Sequence, residues 1–180
     1  LLCLSGRKVQ LINRSADTAC VVEKSGLTLD GEAGTTVCHP TACQVKDAGP
    51  AKVVMIFTKT HQTEAAVQSI LPLCDDNTVF VTLQNGLGNA QLIQSIAGEV
   101  SILEGVTMLP ATLVQPGIVR SHGSNTTWLG PYGKTDMEVA QKVNQLRLKL
   151  PIFRVKENTR TNRISVYIPR LETCQIGSII

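Results

Sequence analysis

The sequence contains no uninterrupted apolar run of the ~18 to 20 residues that a transmembrane helix requires. It also has no positively charged leader with a cleavage site ahead of Leu1. The absence of such a run argues against a membrane-spanning helix. The chain opens with Leu-Leu-Cys-Leu-Ser-Gly and no Met, which is typical of a helix already under way and stopped by Gly6. We therefore expect a further segment upstream.

Paired metal-binding and redox motifs are absent as well. The six cysteines, at positions 3, 20, 38, 43, 74 and 174, form neither a C-x-x-C pair nor a Cys/His ligand spacing. Several lie in apolar segments, which favours reduced, buried thiols in a cytoplasmic protein. The closest approach to a zinc site is Cys38-His39 with Cys43, but no second ligand pair accompanies it. We therefore predict no metal site and a cytoplasmic location.

Strong charge of either sign is missing too. The formal net charge is only +3, and basic residues are scattered through most of the chain. This balance predicts no nucleic-acid partner. The excess of basic residues in the C-terminal part indicates a solvated face or a frayed end rather than a site for polyanions. With 180 residues and 43% hydrophobic content, the chain is long enough for one substantial core, or for one domain plus part of another.

The most informative stretch runs from residue 53 to residue 89. Two apolar strands are predicted there, at residues 53–57 and 78–83, and each ends abruptly in polar or glycine residues. This pattern is typical of parallel strands that are covered on both faces and carry chemistry at their C-terminal ends. The functional site is therefore predicted at this edge of a parallel sheet.

Lys59 and Asn85 are the candidate ligand residues at these strand ends. A helix predicted at residues 63–73, with Thr63 as its N-cap, connects the two strands. Because a crossover between parallel strands is right-handed in ~98% of cases, Lys59 and Asn85 should emerge on the same edge and face one ligand. The glycines after Asn85 let backbone approach that ligand at the N-terminus of the next helix, where free N–H groups favour anions.

Arg14 is a second candidate, at the end of a short strand predicted at residues 9–12. In a dinucleotide-binding fold the second strand ends in an acid that reads a free ribose 2′-hydroxyl, or in an arginine that reads a 2′-phosphate. A guanidinium grips phosphate with two hydrogen bonds. Arg14 therefore indicates a cofactor of the NADP type, although the segment taken alone would favour a surface arginine after a strand.

The remaining segments predict further short elements of an α/β fold. They comprise a helix at residues 16–24, a hairpin formed by residues 27–30 and 35–39, a loop or short helix at 42–49, a helix at 90–97, a strand at 101–108, an antiparallel meander of residues 112–114, 118–121 and 126–129 around a Pro-Gly turn, a helix after Asp136, and a strand at 152–155.

Taken together, these segments resemble the ketopantoate reductase (2-dehydropantoate 2-reductase) family. The order and spacing of several motifs carry the resemblance, which spans about residues 1 to 155. It implies a Rossmann-like dinucleotide-binding domain with an antiparallel β addition. The matching segments are Lys-Val-Gln-Leu-Ile-Asn-Arg at 8–14, Thr-Lys-x-x-Gln at 58–62, Gln-Asn-Gly-Leu-Gly-Asn at 84–89, Gly-Val-Thr at 105–107, Ala-Thr-Leu-x-x-Pro-Gly at 111–117, Val-Arg-Ser-His-Gly at 119–123 and Trp-Leu-Gly-Pro at 128–131.

The resemblance implies a role for five residues. Arg14 would contact the 2′-phosphate of NADPH. Lys59 and Gln62 would line the cleft for cofactor and substrate, and Asn85 would hold the nicotinamide end and the keto acid. Ala111 falls where the family makes a backbone contact to the cofactor. The cofactor residues are thus Arg14, Lys59, Gln62, Asn85 and Ala111, with Lys59 and Asn85 also binding the substrate; Gln62 alternatively caps a helix.

Two departures from the family pattern stand out. The family begins with a strand and a G-x-G-x-x-G/A turn for the pyrophosphate, and this chain starts just after them. That strand is central in the order 3-2-1-4-5-6, so the sheet is expected to have a gap between the strands at Val9 and Val53. If this is the whole polypeptide, the unpaired edges predict an unstable or aggregation-prone product.

The second departure concerns the C-terminal end. The family's general-acid lysine begins an all-helical second domain, but here no lysine follows Lys156. We therefore predict an incomplete NADP-binding domain at residues 1–155, a divergent tail at residues 156–180 and no catalytic lysine. Three readings stay open: an impaired 2-dehydropantoate 2-reductase, an inactive fragment or isoform that binds nucleotide or a partner, and a reductase of another 2-keto acid. The sequence does not define the oligomeric state, and a homo-oligomer is compatible with it.

Overall fold

The structure is a computed structural model that describes residue 3 and residues 7–32, 34–122, 127–145 and 153–155. Its helices are α1 (Ala16–Ser25), α2 (Thr63–Ile70), α3 (Asn89–Ala97) and α4 (Met137–Gln145). None of these helices is long and apolar enough to cross a bilayer. The strands are β1 (Gln10–Ile12), β2 (Leu27–Gly31), β3 (Gly34–Cys38), β4 (Thr41–Cys43), β5 (Val53–Ile56), β6 (Val79–Thr82), β7 (Ser101–Thr107), β8 (Thr112–Gln115), β9 (Ile118–Ser121), β10 (Thr127–Tyr132) and β11 (Phe153–Val155).

The largest sheet has the strand order β11-β10-β7-β6-β5. Strands β5, β6 and β7 are parallel to one another, β10 is antiparallel to β7, and β11 is parallel to β10. Phe80 and Val81 of β6 are both buried, although neighbouring side chains on a strand point to opposite faces. The sheet is therefore covered on both sides, which explains why its strands read as unbroken apolar runs.

Helices α2 and α3 cover one face of this sheet, and α4 covers the other. On the first face, Val67 and Ile70 of α2 join Ala90 and Ile93 of α3 in a core around Phe80. The second face has its own core, composed of Val81, Leu83, Leu103, Leu129, Ala140 and Val143. Helix α2 was predicted with Thr63 as its N-cap, but Thr63 is the first helical residue and Gln62 occupies the N-cap position.

Strands β1 and β4 form a separate two-stranded parallel sheet, which pairs Gln10 with Thr41 and Ile12 with Cys43. The prediction of a loop or short helix at residues 42–49 is therefore wrong for β4, although residues 45–47 form a 3-10 turn. Strand β4 has only three residues and takes its hydrogen bonds from β1, about thirty positions earlier. Such a strand depends on a distant partner rather than on its own sequence pattern.

The predicted gap lies between β1 and β5. Among the described strands, β1 bonds only to β4 and β5 bonds only to β6, so each has one free edge. Ile12 nevertheless packs against the core that contains Val54 and Ile56. This arrangement agrees with the strand order expected from the sequence, in which one central strand separates the two halves.

A third sheet has the order β3-β2-β9-β8. The predicted β2–β3 hairpin and the antiparallel β8–β9 pair are confirmed, and Gly117 has the positive φ of 80° that the turn between β8 and β9 requires. The predicted three-stranded meander is wrong, because β9 pairs in parallel with β2 while β10 pairs with β7. Burial accounts for this choice: Val119 is enclosed beside β2, and Leu129 is enclosed in the core of the largest sheet.

Two predictions concern residues outside this description. The helix end at Gly6 and the divergent tail at residues 156–180 belong to the parts of the chain that the structure does not describe. The division into a domain at residues 1–155 and a tail thus stays a prediction.

Candidate functional site

The carboxyl ends of β5 and β6 bring Lys59 and Asn85 to one edge of the largest sheet. The parallel register sets Ile56 beside Thr82, so Lys59 and Asn85 each follow a paired position by three residues. Both side chains are exposed. No ion pair engages Lys59 within the described part of the chain. The ammonium group of Lys59 and the side-chain amide of Asn85 therefore follow neighbouring strands at the same edge of the sheet, as the sequence predicted.

Gln84, the residue before Asn85, connects these two strand ends. Its Nε2 donates to the carbonyl oxygen of Thr58 at 2.5 Å and to Oγ1 of Thr63 at 2.8 Å. Its Oε1 accepts a hydrogen bond from Oγ1 of Thr82 at 3.0 Å. The amide of Gln84 thus bridges from the end of β6 to both ends of the segment that carries Lys59.

The loop after Asn85 delivers the chain to α3 without a side-chain cap. Gly86 and Gly88 have φ values of 97° and 87°, which glycine adopts without strain. Gly88 occupies the N-cap position of α3, and no side-chain oxygen of a described residue caps the first N–H groups of the helix. These groups give the site the partial positive charge of a helix N-terminus, which attracts anions.

Asn89 lies under this loop and is 1% exposed. Its Nδ2 donates to the carbonyl oxygen of Asn85 at 3.2 Å. Its Oδ1 is buried and accepts no hydrogen bond from the residues that the structure describes. Asn89 therefore anchors the backbone of Asn85 from below.

Gln62 stands in the 3-10 turn formed by residues 60–62, next to Lys59. Its backbone N–H donates to the carbonyl oxygen of Lys59 at 2.8 Å. It occupies the N-cap position of α2, but its side chain makes no capping hydrogen bond. Its side-chain amide is thus available beside Lys59, and the alternative of a capping role finds no support in the hydrogen bonds.

Arg14 lies in the other part of the fold, immediately after β1 and before α1. Its side chain is exposed and forms no ion pair with any described residue. The turn around it is ordered by three hydrogen bonds: Ser15 N donates to Oδ1 of Asn13 at 2.9 Å, Gln44 Nε2 donates to the Arg14 carbonyl oxygen at 3.0 Å, and Thr18 N donates to Oγ of Ser15 at 3.3 Å. A fixed backbone thus presents a free guanidinium beside a helix N-terminus, a favourable environment for a phosphate.

Ala111 is half-buried and directly precedes β8. It follows β7, which is parallel to β6 and therefore leaves the sheet at the same edge as the strands before Lys59 and Asn85. Oγ of Ser121 donates to the carbonyl oxygen of Pro110 at 2.7 Å and fixes the backbone beside Ala111. Strand topology therefore sends Lys59, Gln62, Asn85 and Ala111 to one edge, while Arg14 follows a strand of the separate two-stranded sheet.

Sequence reasoning missed Gln84, Thr63 and Asn89 as parts of this site. Their side chains bind backbone and hydroxyl groups rather than facing outward. The available signal was a polar residue placed directly after a buried apolar strand, since a buried polar group must find a partner.

No cluster of His, Cys, Asp or Glu in the described residues could hold a metal ion. At the segment that drew attention as a weak zinc motif, Cys38 is buried and its thiol donates to the carbonyl oxygen of Leu27 at 3.6 Å. Burial raises the pKa of the Cys38 thiol, which keeps it protonated and opposes metal binding.

The family model described as Ketopantoate reductase PanE/ApbA matches residues 1–134. The chain belongs to the ketopantoate reductase family. It is 33% identical over 135 residues to a 2-dehydropantoate 2-reductase from Halobacterium salinarum, an alignment that covers 73% of this chain and 44% of the relative.

Solved structures share the fold of this chain. A 2-dehydropantoate 2-reductase from Geobacter metallireducens GS-15 superposes with a TM-score of 0.73 at 24% identity, covering 86% of this chain and 52% of that one. D-mandelate dehydrogenase in complex with NADH gives a TM-score of 0.73 at 25% identity, covering 87% of this chain and 50% of that one. The chain therefore spans about half the length of the relatives that it matches, with the Rossmann-like fold of their N-terminal half.

Proposed function

We propose that this chain forms the cofactor-binding part of an NADPH-dependent 2-dehydropantoate 2-reductase, which reduces the keto carbon of 2-dehydropantoate to give pantoate in the pantothenate pathway. The observation that carries the proposal is the free guanidinium of Arg14 after β1, beside the N-terminus of α1. A ribose 2′-phosphate carries the charge and the oxygen geometry that an arginine binds with two hydrogen bonds. An acidic residue at this position would favour NADH instead.

The residues at the sheet edge fit the other end of the cofactor and a keto acid. The nicotinamide ring supplies a hydride when the cofactor is bound. The ammonium group of Lys59 attracts the carboxylate of the acid, and the amide of Asn85 donates to an oxygen as negative charge develops on it. Backbone groups around Gly86, Gly88 and Ala111 are accessible to the cofactor because glycine and alanine leave little side chain over them.

The proton donor for the new alkoxide is not among the residues to which we give a role. A missing general acid typically lowers the rate of the chemical step ~10² to 10⁴-fold. We therefore expect this chain to bind the cofactor but to reduce the substrate slowly. The whole reaction, its substrate and any homo-oligomer thus belong to the proposal.

A test compares NADPH and NADH binding to the 180-residue chain and to Arg14→Ala. Losing the hydrogen bonds of a charged group typically costs about 1.5–3 kcal/mol, so NADPH affinity should fall roughly tenfold to a hundredfold, while NADH affinity stays constant. Arg120→Ala is the matched control, since it removes one charge from an exposed pair with Asp30. Equal binding of both cofactors, unchanged in Arg14→Ala, would refute the role of Arg14.

A reductase of another 2-keto acid is the second candidate, favoured by the structural similarity to D-mandelate dehydrogenase with NADH. It predicts an NADH preference, together with turnover of the keto acid of mandelate in place of 2-dehydropantoate. Absence of binding to either cofactor would instead favour the third reading, an inactive module that serves an interaction partner.

A further inference from the structure

We propose that Gln84 is a positioning residue that sets the distance between Lys59 and Asn85, an inference that rests on the proposed function. No hydrogen bond joins Lys59 to Asn85 in the described part of the chain, and both side chains are exposed. Their separation is therefore set by the pairing of β5 with β6 and by the groups that hold the segments after these strands. Gln84 is the one side chain among the described residues that bonds the ends of both strands.

The side-chain amide of Gln84 makes hydrogen bonds to three other residues. Nε2 reaches the Thr58 carbonyl oxygen just before Lys59, and it also reaches Oγ1 of Thr63, at the start of α2. Oγ1 of Thr82, the last residue of β6, donates a hydrogen bond to Oε1 three positions before Asn85. The segment between Thr58 and Thr63, which carries Lys59 and Gln62, is thus tied at both ends to a single amide.

The orientation of this amide follows from its partners. The Thr58 carbonyl oxygen only accepts hydrogen bonds, so Nε2 must face it and Oε1 must face Thr82. Thr63 is fully buried and Gln84 is half-buried, so water replaces these hydrogen bonds poorly. Hydrogen bonds made by a buried side-chain amide hold the backbone in one geometry more firmly than exposed hydrogen bonds do.

The hydrogen bonds of Gln84 lie only at the end of the site that we propose for the nicotinamide. It is not bonded to Arg14 or to any group of the two-stranded sheet. A change at Gln84 should therefore disturb recognition at Lys59 and Asn85 and leave recognition of the 2′-phosphate intact. Misplacement of reacting groups by about 1 Å is enough to cost a site ~10²-fold in rate.

The variants Gln84→Ala and Gln84→Glu test the inference, with Gln91→Ala, an exposed glutamine of α3, as the matched control. Two ligands are titrated: NADPH, and adenosine 2′,5′-bisphosphate, which carries the 2′-phosphate but no nicotinamide. We expect the affinity for NADPH to fall at least tenfold in both Gln84 variants, while the affinity for the bisphosphate stays within twofold of wild type. Equal losses for both ligands would overturn the inference, because they would indicate general damage to the fold.

Hydrogen exchange of the ligand-free chain supplies a readout that does not depend on the proposed function. Both Gln84 variants should exchange amides at residues 59–63 at least tenfold faster than wild type, and the control should not. Gln84→Glu adds a pH signature: its ionised carboxylate repels the Thr58 carbonyl oxygen, whereas its protonated form donates to it. Protection in Gln84→Glu should therefore return as the pH falls through the carboxyl pKa.

The two measurements distinguish a failure of the proposed reductase function from a failure of the positioning role of Gln84. If wild type binds no NADPH, the proposed function fails, and the exchange data alone decide whether Gln84 holds the Lys59 segment. If exchange at residues 59–63 is unchanged in both Gln84 variants, the positioning role is refuted whatever the cofactor binding shows.

Discussion

The carbonyl oxygen of Trp128 in β10 occupies the space in which a side chain at Gly105 of β7 would stand. A Cβ added to Gly105 would collide with that oxygen and would also lie 2.8 Å from Cδ2 of Leu83. We predict that Gly105→Ala lowers the free energy of unfolding by about 1–3 kcal/mol, because the backbone must move to relieve the overlap. Chemical denaturation followed by circular dichroism measures this loss.

Gly31→Ala is the control for this prediction. Gly31 also lies in a strand, but its added Cβ would meet the carbonyl oxygen of Ser121 at 3.4 Å, an ordinary contact. We expect a change below about 1 kcal/mol there, within the range of surface substitutions and of strand preference. Comparable losses at both glycines would show that the β7–β10 contact is not the cause.

Glu104 of β7 makes the stability of the fold depend on pH. Burial raises the pKa of its carboxyl above the ordinary value of 4.5, and no described residue forms a salt bridge with it. The folded state therefore binds the proton more tightly than the unfolded chain does. The cost of ionising Glu104 is absent below the unfolded-state pKa, grows as the pH rises through the raised folded-state pKa, and stays constant above it.

We consequently predict that Glu104→Gln stabilises the protein at pH 7 and does so less at pH 4. Thermal unfolding of both proteins across this range gives the comparison, and the difference in Tm should widen as the pH rises. Glu99→Gln serves as the control, because the Glu99 side chain is exposed and its pair with Lys134 lies on the surface. A Tm difference independent of pH would argue that packing rather than charge explains the effect.

Gln10 and Gly49 connect the two-stranded sheet to the segment that leads into β5. Nε2 of Gln10 donates to the carbonyl oxygen of Gly49 at 3.2 Å, and the N–H of Gly49 donates to Oε1 of Gln10 at 2.8 Å. Gln10→Ala leaves both partly buried groups of Gly49 without a partner, which should cost about 1–3 kcal/mol. Urea denaturation measures the loss, and the exposed Gln91→Ala should change stability by less than about 0.5 kcal/mol.

Sequence patterns predicted the elements whose physics is local. The apolar run that became β6 is buried on both faces, and that of β5 is buried on one face and half-buried on the other. Each run ends where its strand leaves the sheet, so the positions of Lys59 and Asn85 could be foreseen. The turn at Gly117 was also predictable, because Pro-Gly restricts the backbone by itself.

Other features depend on partners that are distant in the sequence. Turn signals correctly indicated β8 and β9 but could not reveal that β10 leaves them to pair with β7. Gln84 and Thr58 are 26 positions apart, and nothing in either local sequence specifies their hydrogen bond. The candidate site was therefore predictable in its exposed ligand residues and not in the amides beneath them, since hydrogen bonding of buried groups is decided by the assembled fold.

Thr78, the residue directly before β6, provides a final test of a buried hydroxyl that bonds to distant backbone. The residue is 1% exposed; its Oγ1 donates to the carbonyl oxygen of Ala51 at 3.0 Å and accepts from the N–H of Asp75 at 2.9 Å. Thr78→Val preserves the shape but removes the hydroxyl, so two backbone groups lose a partner and we predict a loss of about 1–3 kcal/mol. Thr78→Ser retains the hydroxyl and removes one methyl group, which should cost about 1 kcal/mol. Guanidinium denaturation of both variants decides the point: if Thr78→Ser is the more damaging substitution, packing of the methyl group, and not the hydrogen bonds, fixes the start of β6.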